Sequence, residues 1–208
     1  MKKILTTLFA VMGIYAASHA QSKNEFGIGG GVSGSSIYVS DQKDYTPAKT
    51  GFNLYIADEQ YFSDRWGIKF KLIYDQKGWM ENTITSYSQS PFTFPNSYYN
   101  VKFYLNYITV PVMANWHFGR TRNWYLNFGP YIGFLTSATY DINKSMDLKS
   151  AYNSTDAGLA LGIGVKIPLS KGTKFFIEYD GQGGGSNIVK NGSAGNNARS
   201  SFNVGFDF

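Results

Sequence analysis

The sequence predicts an all-β protein: an eight-stranded antiparallel up-and-down transmembrane β-barrel with short periplasmic turns and long extracellular loops. Three observations support this prediction. Apolar and polar residues alternate in many segments, the connections between those segments are alternately short and long, and the N-terminus resembles an export signal. The 208-residue chain has 16% charged and 17% aromatic residues and contains no cysteine. This composition excludes thiol catalysis and thiolate metal sites.

The N-terminus has the three parts of a secretory signal peptide, and we expect it to be removed. Two lysines are followed by an apolar stretch, and Ser18-His19-Ala20 fits a small-x-small cleavage site. A membrane anchor would need about 20 apolar residues, which is more than this stretch provides. Cleavage between Ala20 and Gln21 would remove residues 1–20 and leave residues 21–208 as one barrel domain.

The charge that remains excludes one class of partner. Loss of the two N-terminal lysines lowers the formal net charge from +5 to about +3. This excess is small and scattered along the chain, which argues against nucleic acid as a partner.

Period-two alternation predicts the strands, because successive side chains of a strand point to opposite faces. The clearest case is 156–170, where apolar residues from Ala157 to Leu169 alternate with glycine, alanine and lysine. Each predicted strand is close to or above the ~9–11 residues that cross a bilayer when tilted. In chain order the strands are expected near 24–36, 49–62, 66–75, 102–118, 124–134, 156–170, 173–181 and 200–208.

The composition of the two strand faces decides which one meets lipid. One face is a continuous series of Leu, Ile, Val, Phe and Trp, while the other mixes Gly and Ala with isolated Lys, Glu and Asp. A soluble barrel would keep its apolar face inward. The pattern favours a narrow barrel with outer membrane lipid outside and polar side chains filling the lumen.

The connections alternate in length, as they do in outer membrane barrels. Short turns are expected at Ser63-Asp64, from Gly119 to Asn123 and at Lys171-Gly172. Long polar loops are expected at 37–48, 78–100, 138–155 and 182–198. With an even number of strands, both termini lie on the periplasmic side.

The same register predicts two aromatic girdles at the membrane boundaries. Phe208 ends the last strand with no polar tail, and we expect it to be the assembly signal that the barrel assembly machinery reads. The periplasmic girdle contains Trp66, Trp116, Phe118, Trp124, Phe175 and Phe208, and the outer girdle contains Tyr74, Trp79, Tyr98, Tyr140 and Tyr179.

Four segments carry a resemblance to a known family: 74–78 (YDQKG), 105–111 (LNYITVP), 129–134 (GPYIGF) and 154–159 (STDAGL). The chain resembles the outer membrane β-barrel domain of Bacteroidota that is often labelled PorT-like, over essentially the whole mature chain. The resemblance implies an eight-stranded barrel in the outer membrane of a Gram-negative bacterium. One group of the family takes part in protein secretion across the outer membrane.

Charged residues on the inner face should pair, because a buried charge needs a partner. Lys166 and Glu178 flank one short turn, and Glu59 and Lys69 flank another. We expect an ion pair across each turn, Lys166 with Glu178 and Glu59 with Lys69. A lumen of eight strands is filled by such side chains, so we favour a plug over an ion path.

Two binding motifs are incomplete. The stretch from Gly29 to Gly34 matches G-x-G-x-x-G, but it lacks the preceding buried strand and the following helix of a dinucleotide site. Asp141, Asn143, Ser145 and Asp147 have the spacing of a calcium loop, but the turn glycine and the bidentate glutamate are missing. We therefore expect no cofactor and no metal.

The leading functional hypothesis is a non-enzymatic structural or surface-binding protein. Exposed aromatic residues are common contact anchors, although the same residues could instead extend the outer girdle. The predicted partners are surface or envelope proteins. The contact surface in loop 78–100 would contain Tyr87, Phe92, Phe94, Tyr98 and Tyr99.

Two other hypotheses rank lower. The family resemblance alone suggests an accessory component of protein secretion. A lipid-modifying enzyme would need a nucleophile–base pair or an activated water near the outer rim. The one histidine after the signal peptide, His117, is expected at the periplasmic end, away from the serines of the loops. We therefore expect no catalytic residues.

Overall fold

The computed structural model describes residues 24–41, 43–86, 96–142, 146–170, 172–191 and 194–208. Within them, eight long strands and one two-residue strand form a single antiparallel sheet. None of the helical structure in these residues is long and apolar enough to cross a membrane. The strands are β1 (Asn24–Val39), β2 (Asp44–Tyr45), β3 (Lys49–Tyr61), β4 (Trp66–Ser86), β5 (Asn96–Phe118), β6 (Trp124–Tyr140), β7 (Thr155–Pro168), β8 (Lys174–Gly184) and β9 (Gly195–Asp207).

The sheet closes on itself. The long strands pair with their chain neighbours in order, and β1 also pairs with β9 from Gly27–Asp207 to Val39–Gly195. The predicted eight-stranded antiparallel up-and-down barrel is confirmed. Closure removes the strand edges, which is the condition for backbone polar groups to be satisfied in hydrocarbon.

The short and long connections lie at opposite ends of the barrel. Short turns join β3 to β4, β5 to β6 and β7 to β8, and they lie at the same end as the start of β1. Phe208 lies there too, because its backbone N–H donates to Phe26 O at 2.8 Å. In an outer membrane barrel this end is periplasmic.

The outer face is apolar and the inner face is polar. On β7, Leu159, Leu161 and Ile163 are exposed, while Asp156 and Lys166 point inward and are buried. The same alternation holds along β9. In water this pattern would expose a continuous apolar surface, whereas in a bilayer it places hydrocarbon against hydrocarbon.

The strand irregularities are local. The β4–β5 ladder has a gap opposite Pro111 and the β5–β6 ladder has one opposite Pro130, since proline has no N–H to donate. The polar residues Asp58 and Gln60 do not interrupt their strand, because the β3–β4 ladder runs continuously through both residues to Tyr61. Gln60 Nε2 donates to Asp58 Oδ2 at 3.0 Å, so the two outward polar side chains bond to each other.

The predicted 78–100 loop is largely strand. β4 and β5 pair with each other from Met80–Lys102 to Ser86–Asn96, whereas the β3–β4 ladder ends at Asp75. The β5–β6 ladder begins only at Phe103. We call residues 80–86 and 96–102 the β4–β5 ribbon. Its threonines and tyrosines favour strand conformation although the segment lacks the apolar alternation of the membrane strands.

Candidate functional site

The barrel interior is filled with charged side chains. In the described ranges, seven carboxylates and six Lys or Arg side chains are buried. Near-equal numbers allow each buried charge an opposite partner, without which burial would be very costly. The acidic residues are Glu25, Glu59, Asp75, Asp156, Glu178, Asp180 and Asp207, and the basic residues are Lys49, Lys69, Lys71, Lys77, Lys166 and Arg199.

Lys166 is the centre of the periplasmic cluster. Its Nζ lies 2.7 Å from Glu25 Oε2, 2.8 Å from Glu59 Oε2 and 2.9 Å from Asp207 Oδ2. These carboxylates come from β1, β3 and β9. The Lys166 ammonium on β7 therefore contacts both strands of the β1–β9 pair that closes the barrel. It also contacts β3, on the opposite side of the barrel from β7.

His117 belongs to the same cluster. Its Nε2 lies 2.6 Å from Glu59 Oε1, and its Nδ1 lies 3.3 Å from the backbone O of Arg122. Asn115 Nδ2 donates to the same Glu59 oxygen at 2.7 Å. The ring is buried at the periplasmic end, and its contact with Glu59 makes it part of the interior network. Across the described residues, no group of three or more His, Asp and Glu side chains could hold a metal ion.

The four predicted ion-pair residues all line the interior, but they exchange partners. Lys69 lies opposite Glu59 in the β3–β4 ladder, yet its Nζ is 3.6 Å from Glu178 Oε2. Glu178 also contacts Lys71 and accepts hydrogen bonds from Tyr125 and Asn127, each at 2.9 Å.

The pairing predicted across each turn is therefore not the one found. In the β7–β8 ladder Lys166 lies opposite Phe176, and Glu178 lies opposite Gly164, one inward position further from the periplasm. Each long side chain reaches across the lumen to a charge at its own height, such as Glu59 for Lys166.

Two further clusters continue the network toward the outer end. Arg199 Nη1 lies 2.7 Å from Asp180 Oδ1, and its Nε lies 3.0 Å from Asp75 Oδ1. Higher up, Lys77 Nζ lies 3.0 Å from Asp156 Oδ2. The charged plug therefore extends over most of the height of the barrel.

An apolar cluster closes the outer end. Trp79 is buried here, so its predicted place in the outer girdle is wrong. It follows Asp75 and Lys77 at a spacing of two, and all three side chains point inward. The cluster consists, within the described residues, of Ile37, Trp79, Leu105, Tyr107, Leu135, Ala138, Tyr152 and Ile188.

The external segments 146–154 and 185–191 cover this cluster, and we call them the outer lid. They bond to each other, with Asn153 N donating to Ile188 O at 2.8 Å and Lys190 N to Ala151 O at 3.0 Å. Burial and the carboxylate of Glu81 raise the pKa of the Tyr152 phenol to about 12. Tyr152 also packs edge-on against Trp79, with ring centroids 5.9 Å apart.

The predicted contact surface lies partly in the β4–β5 ribbon. Tyr98 is 38% exposed and Tyr99 is 72% exposed. Tyr87, Phe92 and Phe94 lie outside the described residues. The two described tyrosines therefore stand on a paired ribbon above the barrel rim, and not on an irregular loop.

The two incomplete motifs have structural roles. A Cβ atom on Gly29 would lie 2.6 Å from Phe176 Cζ and 2.9 Å from Tyr55 Cζ, so glycine leaves room for these interior rings. In the segment with calcium-loop spacing, Asp141 Oδ1 accepts from Lys102 N at 3.0 Å, and Asp147 Oδ1 accepts from Lys149 N at 2.8 Å. Asn143 and Ser145 lie outside the described residues, as do Ala20 and Gln21.

A closed antiparallel barrel with an apolar outer face, a charged interior and short turns at one end is typical of a small outer membrane barrel. Residues 19–184 match the family described as outer membrane protein beta-barrel domain, and the chain belongs to this family. It is an outer membrane protein. No curated protein matches the sequence.

Several solved outer membrane proteins have a similar structure. Neisserial surface protein A is 14% identical, with a TM-score of 0.51 over 88% of this chain and 95% of that chain. Ail, the attachment invasion locus protein of Yersinia pestis, is 15% identical, with a TM-score of 0.44 over 89% and 99%. OprG of Pseudomonas aeruginosa is 13% identical, with a TM-score of 0.45 over 89% and 95%. At these identities the similarity shows the fold alone.

Proposed function

We propose that this protein is a non-enzymatic outer membrane barrel with a structural or surface-binding role, and that the β4–β5 ribbon is its contact surface. The observation that carries the proposal is the exposure of Tyr99, supported by Tyr98, on strands that extend past their neighbours on both sides. Exposed aromatic side chains of this kind are common anchors of protein contacts. The partner is a surface or envelope protein.

The interior supports a role at the surface over a role in transport. Apart from Lys49, which donates to the backbone O of Lys77, its buried charges are paired from the Lys166 cluster to the Lys77–Asp156 pair, and the outer lid covers the apolar cluster above them. An eight-stranded barrel has just enough room for such side chains. His117 contacts Glu59 at the periplasmic end of the interior, whereas a lipid-modifying enzyme would need a base near the outer rim. This position supports a non-enzymatic role.

Site-specific photo-crosslinking on intact cells tests the proposal. A photoreactive residue at Tyr99 should give a discrete adduct, and a second substitution, Tyr98→Ala, should weaken it. The matched control places the same residue at Lys149, which is exposed in the outer lid. No adduct from Tyr99, or the same adduct from both positions, would contradict the proposal. An adduct with a secretion component would favour the alternative role as a secretion accessory.

We also propose that residues 1–20 are removed as a signal peptide and that the chain is PorT-like. The support comes from the sequence: the basic and apolar N-terminus with its Ala20–Gln21 junction, and the four family-like segments. Phe208 is the residue that we expect the barrel assembly machinery to recognise. N-terminal sequencing of the mature protein and a Phe208→Ser variant test the first and last of these proposals.

A further inference from the structure

The exposed charge of the barrel differs between its two ends. In the described ranges, the turns after β3 and β5 expose three arginines, Arg65, Arg120 and Arg122, against one carboxylate, Asp64. The described external segments carry five carboxylates and only four lysines. The described residues as a whole are balanced in charge, so these two turns form a local positive patch on one flank of the periplasmic rim.

The two arginine-bearing turns are built as one unit. Arg122 Nη1 lies 2.9 Å from Asp64 Oδ2, which joins the turns through their side chains. Next to this contact, His117 N donates to Arg65 O at 2.7 Å. Arg122 has a φ of 58°, a conformation that suits glycine or asparagine better than arginine. What an arginine adds at this position is its guanidinium, which contacts Asp64 and is still half-exposed.

An aromatic row places these arginines at the membrane boundary. Trp66 stacks on Trp116 with ring centroids 6.1 Å apart, Trp116 on Phe118 at 5.2 Å, and Phe118 lies 6.4 Å from Trp124. The row crosses the periplasmic ends of β4, β5 and β6, directly next to the two turns. Tryptophan is enriched at the level of lipid headgroups, so the guanidinium groups lie at the height of lipid phosphates.

A cavity of about 630 Å³ opens beside the two turns and has Arg122 on its wall. The cations on its inner side are already compensated, since Lys166 and Lys174 both contact Glu25. Toward the turns its wall carries Arg122, which is half-exposed and contacts Asp64 on the same wall. The cavity is large enough to accept a headgroup beside Arg122, and Arg65 and Arg120 lie on the same two turns outside it.

We propose that Arg65, Arg120 and Arg122 form a binding site for the phosphate headgroup of an anionic phospholipid in the inner leaflet of the outer membrane. A guanidinium can donate two parallel hydrogen bonds to a phosphate, which a lysine cannot do. The aromatic row favours a phosphate that belongs to a membrane lipid over free phosphate, because it fixes the site at the bilayer surface.

Lipid retention by the folded barrel tests this site. The mature protein is incorporated into nanodiscs that contain equal phosphatidylglycerol and phosphatidylcholine, released into detergent, and the retained lipids are measured by native mass spectrometry. The test variant combines Arg65→Gln, Arg120→Gln and Arg122→Gln. The matched control removes three exposed lysines from the external end, with Lys43→Gln, Lys149→Gln and Lys190→Gln.

We expect the unmodified barrel to retain phosphatidylglycerol preferentially, and the preference to fall at least about ten-fold in the arginine variant, since each basic group near an anionic surface contributes substantially. The control should keep the preference. An arginine variant that still prefers phosphatidylglycerol, or a control that loses the preference equally, would overturn the proposal.

Two further arms complete the test. If the triple variant does not fold, as judged by mobility on unboiled gels, Arg120→Gln alone should lower the preference about five-fold. Inorganic phosphate should displace the lipid no better than chloride at equal ionic strength. Selective displacement by inorganic phosphate would mean that the site binds free phosphate, and would overturn the assignment to lipid.

Discussion

Lys166 of β7 and Glu59 of β3 meet across the barrel interior, with 2.8 Å between Nζ and Oε2, although they are 107 residues apart in the chain. Neither residue is adjacent to the other in any ladder. The contact exists because the strands enclose a lumen narrow enough for one lysine to reach the opposite wall. Together with Glu25 and Asp207, it stabilises the periplasmic end of the closed barrel.

Removal of the Lys166 ammonium should be strongly destabilising. In Lys166→Met, three buried carboxylates lose their shared partner, and breaking a buried ion pair from one side costs about 3–5 kcal/mol. We expect the free energy of unfolding in urea, measured in lipid vesicles, to fall by this amount. Lys149→Met, at an exposed position, should change it by less than about 0.5 kcal/mol. Equal stability of the two variants would contradict a central role for Lys166.

A double-mutant cycle distinguishes the observed partner of Glu178 from the one predicted across the turn. Residues in contact show coupling energies of about 0.5–3 kcal/mol, and residues without shared partners show almost none. Glu178 contacts Lys71 directly but shares only Tyr125 with Lys166, so we expect Glu178→Gln to couple more strongly with Lys71→Met than with Lys166→Met, measured by urea unfolding. The opposite result would mean that the pairing follows the hairpin and not the lumen.

The lipid-facing side of β7 gives a matched pair of positions. Ile163 lies in the middle of the apolar face and Thr155 at its outer end, on the same face of the same strand. An arginine facing lipid costs about 2–4 kcal/mol at the bilayer midplane and about 0–1 kcal/mol near the interface. Ile163→Arg should therefore destabilise refolded barrels in vesicles far more than Thr155→Arg. Similar losses at both positions, or a mature chain that is soluble without detergent, would exclude the membrane orientation.

The outer lid should open at high pH through Tyr152. An unfolded phenol ionises near pH 10, whereas the pKa of Tyr152 is raised to about 12 by burial. Its contribution to the closed lid is therefore complete below about pH 10 and is lost as the pH rises through the folded pKa. In a protein that retains Trp79 as its one tryptophan, emission should shift to the red over this range. Tyr152→Phe should abolish the shift, and a shift that persists would assign it to another group.

The sequence predicts the membrane strands well because lipid imposes a single requirement on them. Outward positions between the interfaces are mostly apolar, so the alternation around Leu161 and Val204 identifies both the strand and the face. The lengths of the turns follow from the residues at which these strands begin and end. Trp79 could also have been placed correctly, since it has the same inward parity as Lys77.

Two features depend on distances that the sequence does not contain. Lys166 pairs with Glu59 because the two side chains lie at the same height in the lumen. The strand order along the chain identifies only the residues next to Lys166 in the sheet, such as Phe176. The β4–β5 ribbon lies above the membrane, where apolar alternation is not required, and so its strands resemble a polar loop. Thr83 and Tyr99 face each other there, and their strand propensity was the available clue.

The pairing of β1 with β9 also sets the order of events during biogenesis. β1 has its second partner only in β9, so one row of its amide and carbonyl groups stays unpaired until β9 is also present. A helical membrane protein can enter its bilayer one segment at a time, because each segment is internally bonded. This chain has no such option, because the barrel cannot close before β9 is available to pair with β1.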